Sequence, residues 1–259
     1  PPRSTLFPYT TLFRSQSGIQ ESGVTKTFVQ AVVESGQTDE VIDVLKTVIT
    51  DTSTTLEEKE AAAVVIVEIL IAETGETDLL DNLIVAATSF DFTDFDITDP
   101  ADLERLLDAI LPPGAKTIVY PEGWDGARLA GLLDALEGMA ENFFALAEII
   151  EANEGTLTNF NLDPGWYAQV GTLVSILNAL ELQEPLPEGV TTKGEAIVFV
   201  LENVDLVGPE GTYLSIEELV DSVFSNVGTI VDTLQNDYVI NQLFLAAGID
   251  FQAILDMVG

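Results

Sequence analysis

Three times along the chain a serine or threonine is followed three positions later by glutamate and then by an apolar run: Thr55-Leu-Glu-Glu58, Thr192-Lys-Gly-Glu195 and Ser215-Ile-Glu-Glu218. This is the pattern of a capping box. The first hydroxyl accepts from the fourth amide and the glutamate reaches back to the first, so two unpaired donors at a helix start are satisfied together. Asp99-Pro100 and Asp163-Pro164 add a second kind of start, a cap residue before a first-turn proline. Between these marks apolar residues recur at helical spacing. The pattern predicts helices over residues 24–34, 39–50, 55–72, 78–87, 101–111, 126–152 as one long helix, 164–182, 196–204, 216–234, 238–247 and 251–258. Only residues 116–120 (KTIVY) read as a strand, and 197–201 are ambiguous. The expected fold is all-α, with paired antiparallel helices forming an irregular bundle or a short α-solenoid and at most one short β-hairpin.

Residues 61–72 (AAAVVIVEILIA) are apolar apart from Glu68. A bilayer span takes about 20 residues, so this run predicts a helix buried on most sides, with Glu68 at its wet edge. Two turns echo each other at an offset of 39: Glu34-Ser-Gly-Gln-Thr-Asp39 and Glu73-Thr-Gly-Glu-Thr-Asp78. In each, glycine should close one helix and Thr-Asp should cap the next. Residues 106–136 and 176–223 share a looser string of features, LLDAI/LPPG/PEG against ILNAL/LPEG/PEG. A period near 40 suits stacked helix pairs, and chance recurrence in an acidic helical chain is the competing account. Neither tryptophan sits in a known helical-repeat consensus.

Residues 1–15 (PPRSTLFPYTTLFRS) match, over their whole length, the in-frame translation of a short-read sequencing adapter. They are expected to be a disordered artefact and are set aside from fold reasoning. Residues 16–259 are then expected to form a single all-α domain, with a sub-boundary near 112–123. The adapter also implies an assembly that ended inside the reading frame, so a start carrying a signal peptide or lipid-attachment cysteine is expected to be missing.

Charge excludes two classes of partner. Nine basic residues face 44 acidic ones, a net charge of −35. Nucleic-acid binding needs clustered Lys and Arg against phosphates, and an anionic membrane surface needs the same; no such cluster occurs. With 47% hydrophobic residues the chain is not a disordered polyelectrolyte. A strongly acidic, lysine-poor surface suits saline or extracytoplasmic surroundings, and the cell envelope is the expected location. There is no cysteine and no histidine. Disulfides, thiolate sites and the commonest general base are therefore out of reach.

No GxxxxGK[ST] or GxGxxG phosphate loop occurs. Paired carboxylates could still run glycoside chemistry, but with 44 acids pairs are too common to point anywhere. The densest acidic stretch is Asp91-Phe-Thr-Asp94-Phe-Asp96-Ile-Thr-Asp99. Asp94, Asp96 and Asp99 offer oxygens to a hard cation, and their spacing resembles the start of a calcium loop. The loop departs from that pattern at position six, which holds Asp99 rather than glycine, and at position twelve, Arg105 rather than glutamate. Solvated acids with Asp99 as a helix cap explain it equally well. Calcium is the one cofactor this reading admits.

Both tryptophans follow Pro/Gly turns. Tyr120 and Trp124 stand together in one, Trp166 and Tyr167 in the other. Such aromatics form a stacking surface or a partner hot spot, or else plug the end of a helical core. They are the candidate ligand-binding residues. The functional expectation is a non-catalytic binding or scaffold protein with a protein or small-molecule partner. The alternatives are a hydrolase using paired carboxylates and a cation-binding protein.

Overall fold

The computed structural model describes residues 22–77, 80, 84, 126–157, 164–203, 206–208, 211–230, 233 and 236–248. Expectations placed on 1–15, on the helices over 101–111 and 251–258, on the strand 116–120 and on the rest of 106–125 lie outside them, and of the helix over 78–87 only Leu80 and Ile84 are described, both helical and buried. The described residues are all-α. In chain order the helices are α1 (Ser22–Ser35), α2 (Thr38–Thr50), α3 (Leu56–Thr74), α4 (Gly126–Glu137), α5 (Ala140–Ala152), α6 (Pro164–Ala179), α7 (Lys193–Glu202), α8 (Ile216–Asp221) and α9 (Tyr238–Ala246). Leu182 with Phe224, and Val207 with Tyr213, form isolated bridges. No helix among the described residues is long and apolar enough to cross a membrane.

The centre is α3. Ala63, Val64, Val67 and Ile71 form one stripe, buried with Leu132, Leu136, Phe143, Leu146 and Ile150. Ala62, Val65, Ile66 and Ile69 form the opposite stripe, buried with Val29, Val32, Val41 and Leu45. A helix apolar all round must be covered all round. Accordingly α1 and α2 pack on one side of α3, and α4 and α5 on the other. A third cluster gathers Leu180, Val190, Ala196, Val223 and Phe224 where α6, α7 and α8 meet.

The capping boxes form as the pattern predicts at Thr55 and Thr192, each hydroxyl accepting from the Glu58 or Glu195 amide and each carboxylate answering. At Ser215 the hydroxyl accepts from Glu218, but the carboxylate reaches one residue further back, to the Leu214 amide at 2.6 Å. Hydrogen bonds from the Thr191 hydroxyl and amide hold the Glu195 carboxyl below its usual range.

The turn at 35–37 repeats at 74–76 in geometry as well as in letters. Gly36 and Gly75 take φ of +67° and +70°, the left-handed conformation that favours glycine. Ser35 and Thr74 each donate to the carbonyl three residues back, Val32 and Ile71, and accept from the amide two residues on, Gln37 and Glu76. Thr38 does not cap α2, because Gln37 occupies the cap position. Its hydroxyl instead donates to Glu73 at 2.6 Å, tying one turn to the other.

Two expected helices are shorter than the pattern implied. The long helix over 126–152 breaks at Gly138 and Met139, where Met139 takes φ −86° and ψ −1°. This break lets Met139 fill the main core, 2% exposed. Residues 216–234 do not continue as one helix past Asp221. There the backbone turns to pair elsewhere: the Gln183 amide donates to Val223, and Ser225 donates to Glu181. Asn226 then closes the end of α6, donating to the Ala179 carbonyl at 2.8 Å and accepting from the Glu181 amide. The ambiguous residues 197–201 are helical, within α7.

The start of α7 is fixed by contacts its neighbours impose. Lys193 donates to the Leu177 and Asn178 carbonyls at the end of α6 and pairs with Glu137 at 2.8 Å. The Gly194 amide donates to Asp134 in α4, and a Cβ at Gly194 would stand 2.3 Å from the Ala130 carbonyl oxygen. Gly194→Ala should therefore push α7 off α4 and cost about 1–3 kcal/mol, as overpacking does. Gly131→Ala, on the open side of α4 with nothing within 4 Å, should be neutral or stabilise by up to about 1 kcal/mol. Urea unfolding midpoints of the two variants check this contrast.

Candidate functional site

Of the residues singled out by sequence, Trp166 and Tyr167 fall among those described; Tyr120, Trp124, Asp94, Asp96 and Asp99 lie outside them. Pro164 opens α6 at its first turn, as the Asp-Pro pair predicts, and the next residues carry the aromatic pair inward. The rings of Trp166 and Tyr167 meet edge to face, centroids 5.0 Å apart at 78°. Trp166 is half-buried against the main core. Tyr167 is only 2% exposed, and its hydroxyl donates to Glu68 on α3 at 2.6 Å. Burial first, and then the Glu68 carboxylate, push the Tyr167 hydroxyl well above its ordinary value. Tyr167 therefore anchors α6 to α3, and of this pair only Trp166 keeps a face toward the outside.

Glu68 stands at the partly covered edge of α3 that the pattern assigned to it. Glu60, one of the residues the pattern left unremarked, is fully buried, and Asn153 donates to it at 3.4 Å. Eight residues of helix separate the two glutamates, a rise of about 12 Å. Paired glycosidase carboxylates stand roughly 5–10 Å apart, so the backbone spacing alone does not set this pair for that chemistry. Among the described residues no three acidic side chains converge as a bound metal ion requires. A surface hollow of about 130 Å³ lies between α1 and α2, lined by Phe28, Gln37, Glu40, Val41, Val44 and Leu45. Ligand pockets run to about 300–1,000 Å³, so it is too small to enclose a ligand of ordinary size.

A second surface feature was not visible in the sequence. Phe144 on α5 is 47% exposed and Leu245 on α9 is 56% exposed. The Phe144 ring lies 5.4 Å from that of Tyr238, tilted by 47°. Tyr238 donates its hydroxyl to Glu151 at 2.8 Å, while Leu245 sits against Gly155 just beyond the end of α5. The inner sides of both helices are anchored: Phe143, Leu146, Ile150, Ile240 and Leu243 are buried. The outcome is an apolar and aromatic strip held on two fixed helices. Burial, followed by the hydrogen bond to Glu151 and the charges of Glu151 and Glu148, raises the Tyr238 hydroxyl to about 12.

The two raised tyrosines set an alkaline limit. Each folded-state value lies above the unfolded value of 10.0, so each contribution is fully present below pH 10 and is lost as pH rises beyond it. Unfolding midpoints measured against pH should hold level from this source up to about pH 10 and then fall. Tyr167→Phe should lower the midpoint at neutral pH, through the lost bond to Glu68, and flatten the alkaline fall.

Compared with protein-family models, with curated proteins and with solved structures, the chain matches none.

Proposed function

We propose that the chain is a non-catalytic binding or scaffold protein that meets its partner through the α5–α9 strip. What supports this is the exposure of Phe144 and Leu245, with the half-buried Tyr238 beside them, on helices whose opposite sides are locked into the core. Large rigid side chains presented this way lose little entropy on contact, and such residues dominate interface energies. Several polar side chains, by contrast, join helix to helix. Arg128 grips Glu76 through two bonds, Nε at 2.6 Å from one carboxylate oxygen. Lys193 serves α4, α6 and α7, Tyr167 and Glu68 join α6 to α3, and Ser175 donates to Asp237 at the start of α9. A cell-envelope setting fits the acidic, lysine-poor surface.

The rival is a paired-carboxylate hydrolase built around Glu68 and Trp166. A panel of nitrophenyl glycosides separates the two. Neither the parent protein nor Glu68→Gln is expected to release nitrophenol. Release by the parent that Glu68→Gln abolishes, with its fold intact by circular dichroism, overturns the binding reading.

A further inference from the structure

We infer that the α5–α9 strip docks a cationic amphipathic helix, an inference that rests on the binding reading above. On α5 the exposed residues Glu141, Phe144, Glu148 and Glu151 fall on one stripe, at i, i+3, i+7 and i+10. On α9, Tyr238 and Leu245 are seven residues apart and so share a face. Apolar side chains thus lie beside a row of carboxylates. Neither helix carries a lysine or arginine, so neither supplies a counter-charge to this row. The rise in Tyr238 draws on Glu151 and Glu148, which places both carboxylates close to the aromatic end of the strip.

The occupant must bring apolar groups for Phe144 and Leu245 and positive charge for the glutamates. A second copy of this chain would set the same acids against each other, and like charges across an interface are costly. The chain's own residues 249–259 carry Asp250 and Asp256 and no cation, so they do not supply the complement either. A helix laid along the strip does. Tyr238 and Leu245 are two turns apart, about 10 Å along the axis, which matches apolar anchors at i, i+3 or i+4, and i+7 on a partner helix. Lysines flanking that stripe would face Glu141, Glu148 and Glu151.

The test is fluorescence anisotropy with a labelled helical peptide carrying leucine at those anchor positions and lysine elsewhere, beside its glutamate-for-lysine counterpart. The lysine peptide is expected to bind, less tightly as salt rises, and the glutamate peptide is not. Phe144→Ser with Leu245→Ser leaves the charge unchanged and should weaken binding at least ~10-fold, the loss that truncating hot-spot side chains produces. Glu148→Gln with Glu151→Gln should weaken it comparably. Glu217→Gln with Asp221→Asn removes two exposed charges from α8 and should leave it nearly intact. Melting curves confirm that each variant is folded, and should the serine pair unfold, the two charge-removing pairs on α5 and α8 carry the comparison. The inference is overturned if the lysine peptide does not bind, if the serine pair binds as well as the parent, or if the α8 pair weakens binding as much as the α5 pair. Those results refute this partner and this face. Turnover of glycosides is the separate result that refutes the binding reading itself.

Discussion

Everything described in this structure leans on the two-sided burial of α3. A helix with one apolar stripe needs a single neighbour. Ala62, Val65, Ile66 and Ile69 on one side of α3, with Ala63, Val64, Val67 and Ile71 on the other, demand neighbours on both. The α1–α2 pair therefore closes one face, and α4 and α5 close the other. The same enclosure dictates what happens to the acids on α3. Glu60 and Glu68 cannot rely on bulk water alone, so Asn153 donates to one and Tyr167 to the other. A buried polar group left without a partner costs about 1–3 kcal/mol, so these bonds also select which part of α5 and α6 may sit against α3.

Two cations, Lys193 and Arg128, are used where the packing leaves a charge or a helix end in need. Lys193 supplies donors to the last carbonyls of α6 and a counter-charge to Glu137, and its neighbour Gly194 lets α7 touch α4. A cation at a helix C-terminus also meets the negative end of the helix dipole. Arg128 binds Glu76 in the forked geometry suited to guanidinium and carboxylate. The net charge is −35, and among the described residues Glu60 alone of the acids is buried. This excess of acid opposes self-association and favours partners of opposite sign, the setting in which the α5–α9 strip acquires its proposed partner.

Binding at that strip would couple naturally to stability. Tyr238 starts α9 and Leu245 nearly ends it, so a partner touching both would hold α9 against α5 along its length. A ligand that binds only the folded state raises stability by mass action. At the strip aromatic surface and charge coincide, whereas Tyr167, picked out beforehand for its ring, is withdrawn into the core.

What the sequence by itself determined is what local patterns carry: the capping boxes at Thr55 and Thr192, the left-handed glycines at Gly36 and Gly75, the first-turn proline of α6 and the burial of α3. Each depends on residues within a few positions of one another, so periodicity and cap chemistry suffice. The tertiary structure alone decided the rest. It broke the helix at Gly138 so that Met139 could enter the core, and it ended α8 at Asp221 because residues 223–225 find backbone partners near 181–183. It gave Thr38 to Glu73 rather than to a helix cap, buried Tyr167 and left Phe144 outside. Those outcomes are competitions between a local preference and a contact dozens of residues away, and only the packed chain brings both competitors together.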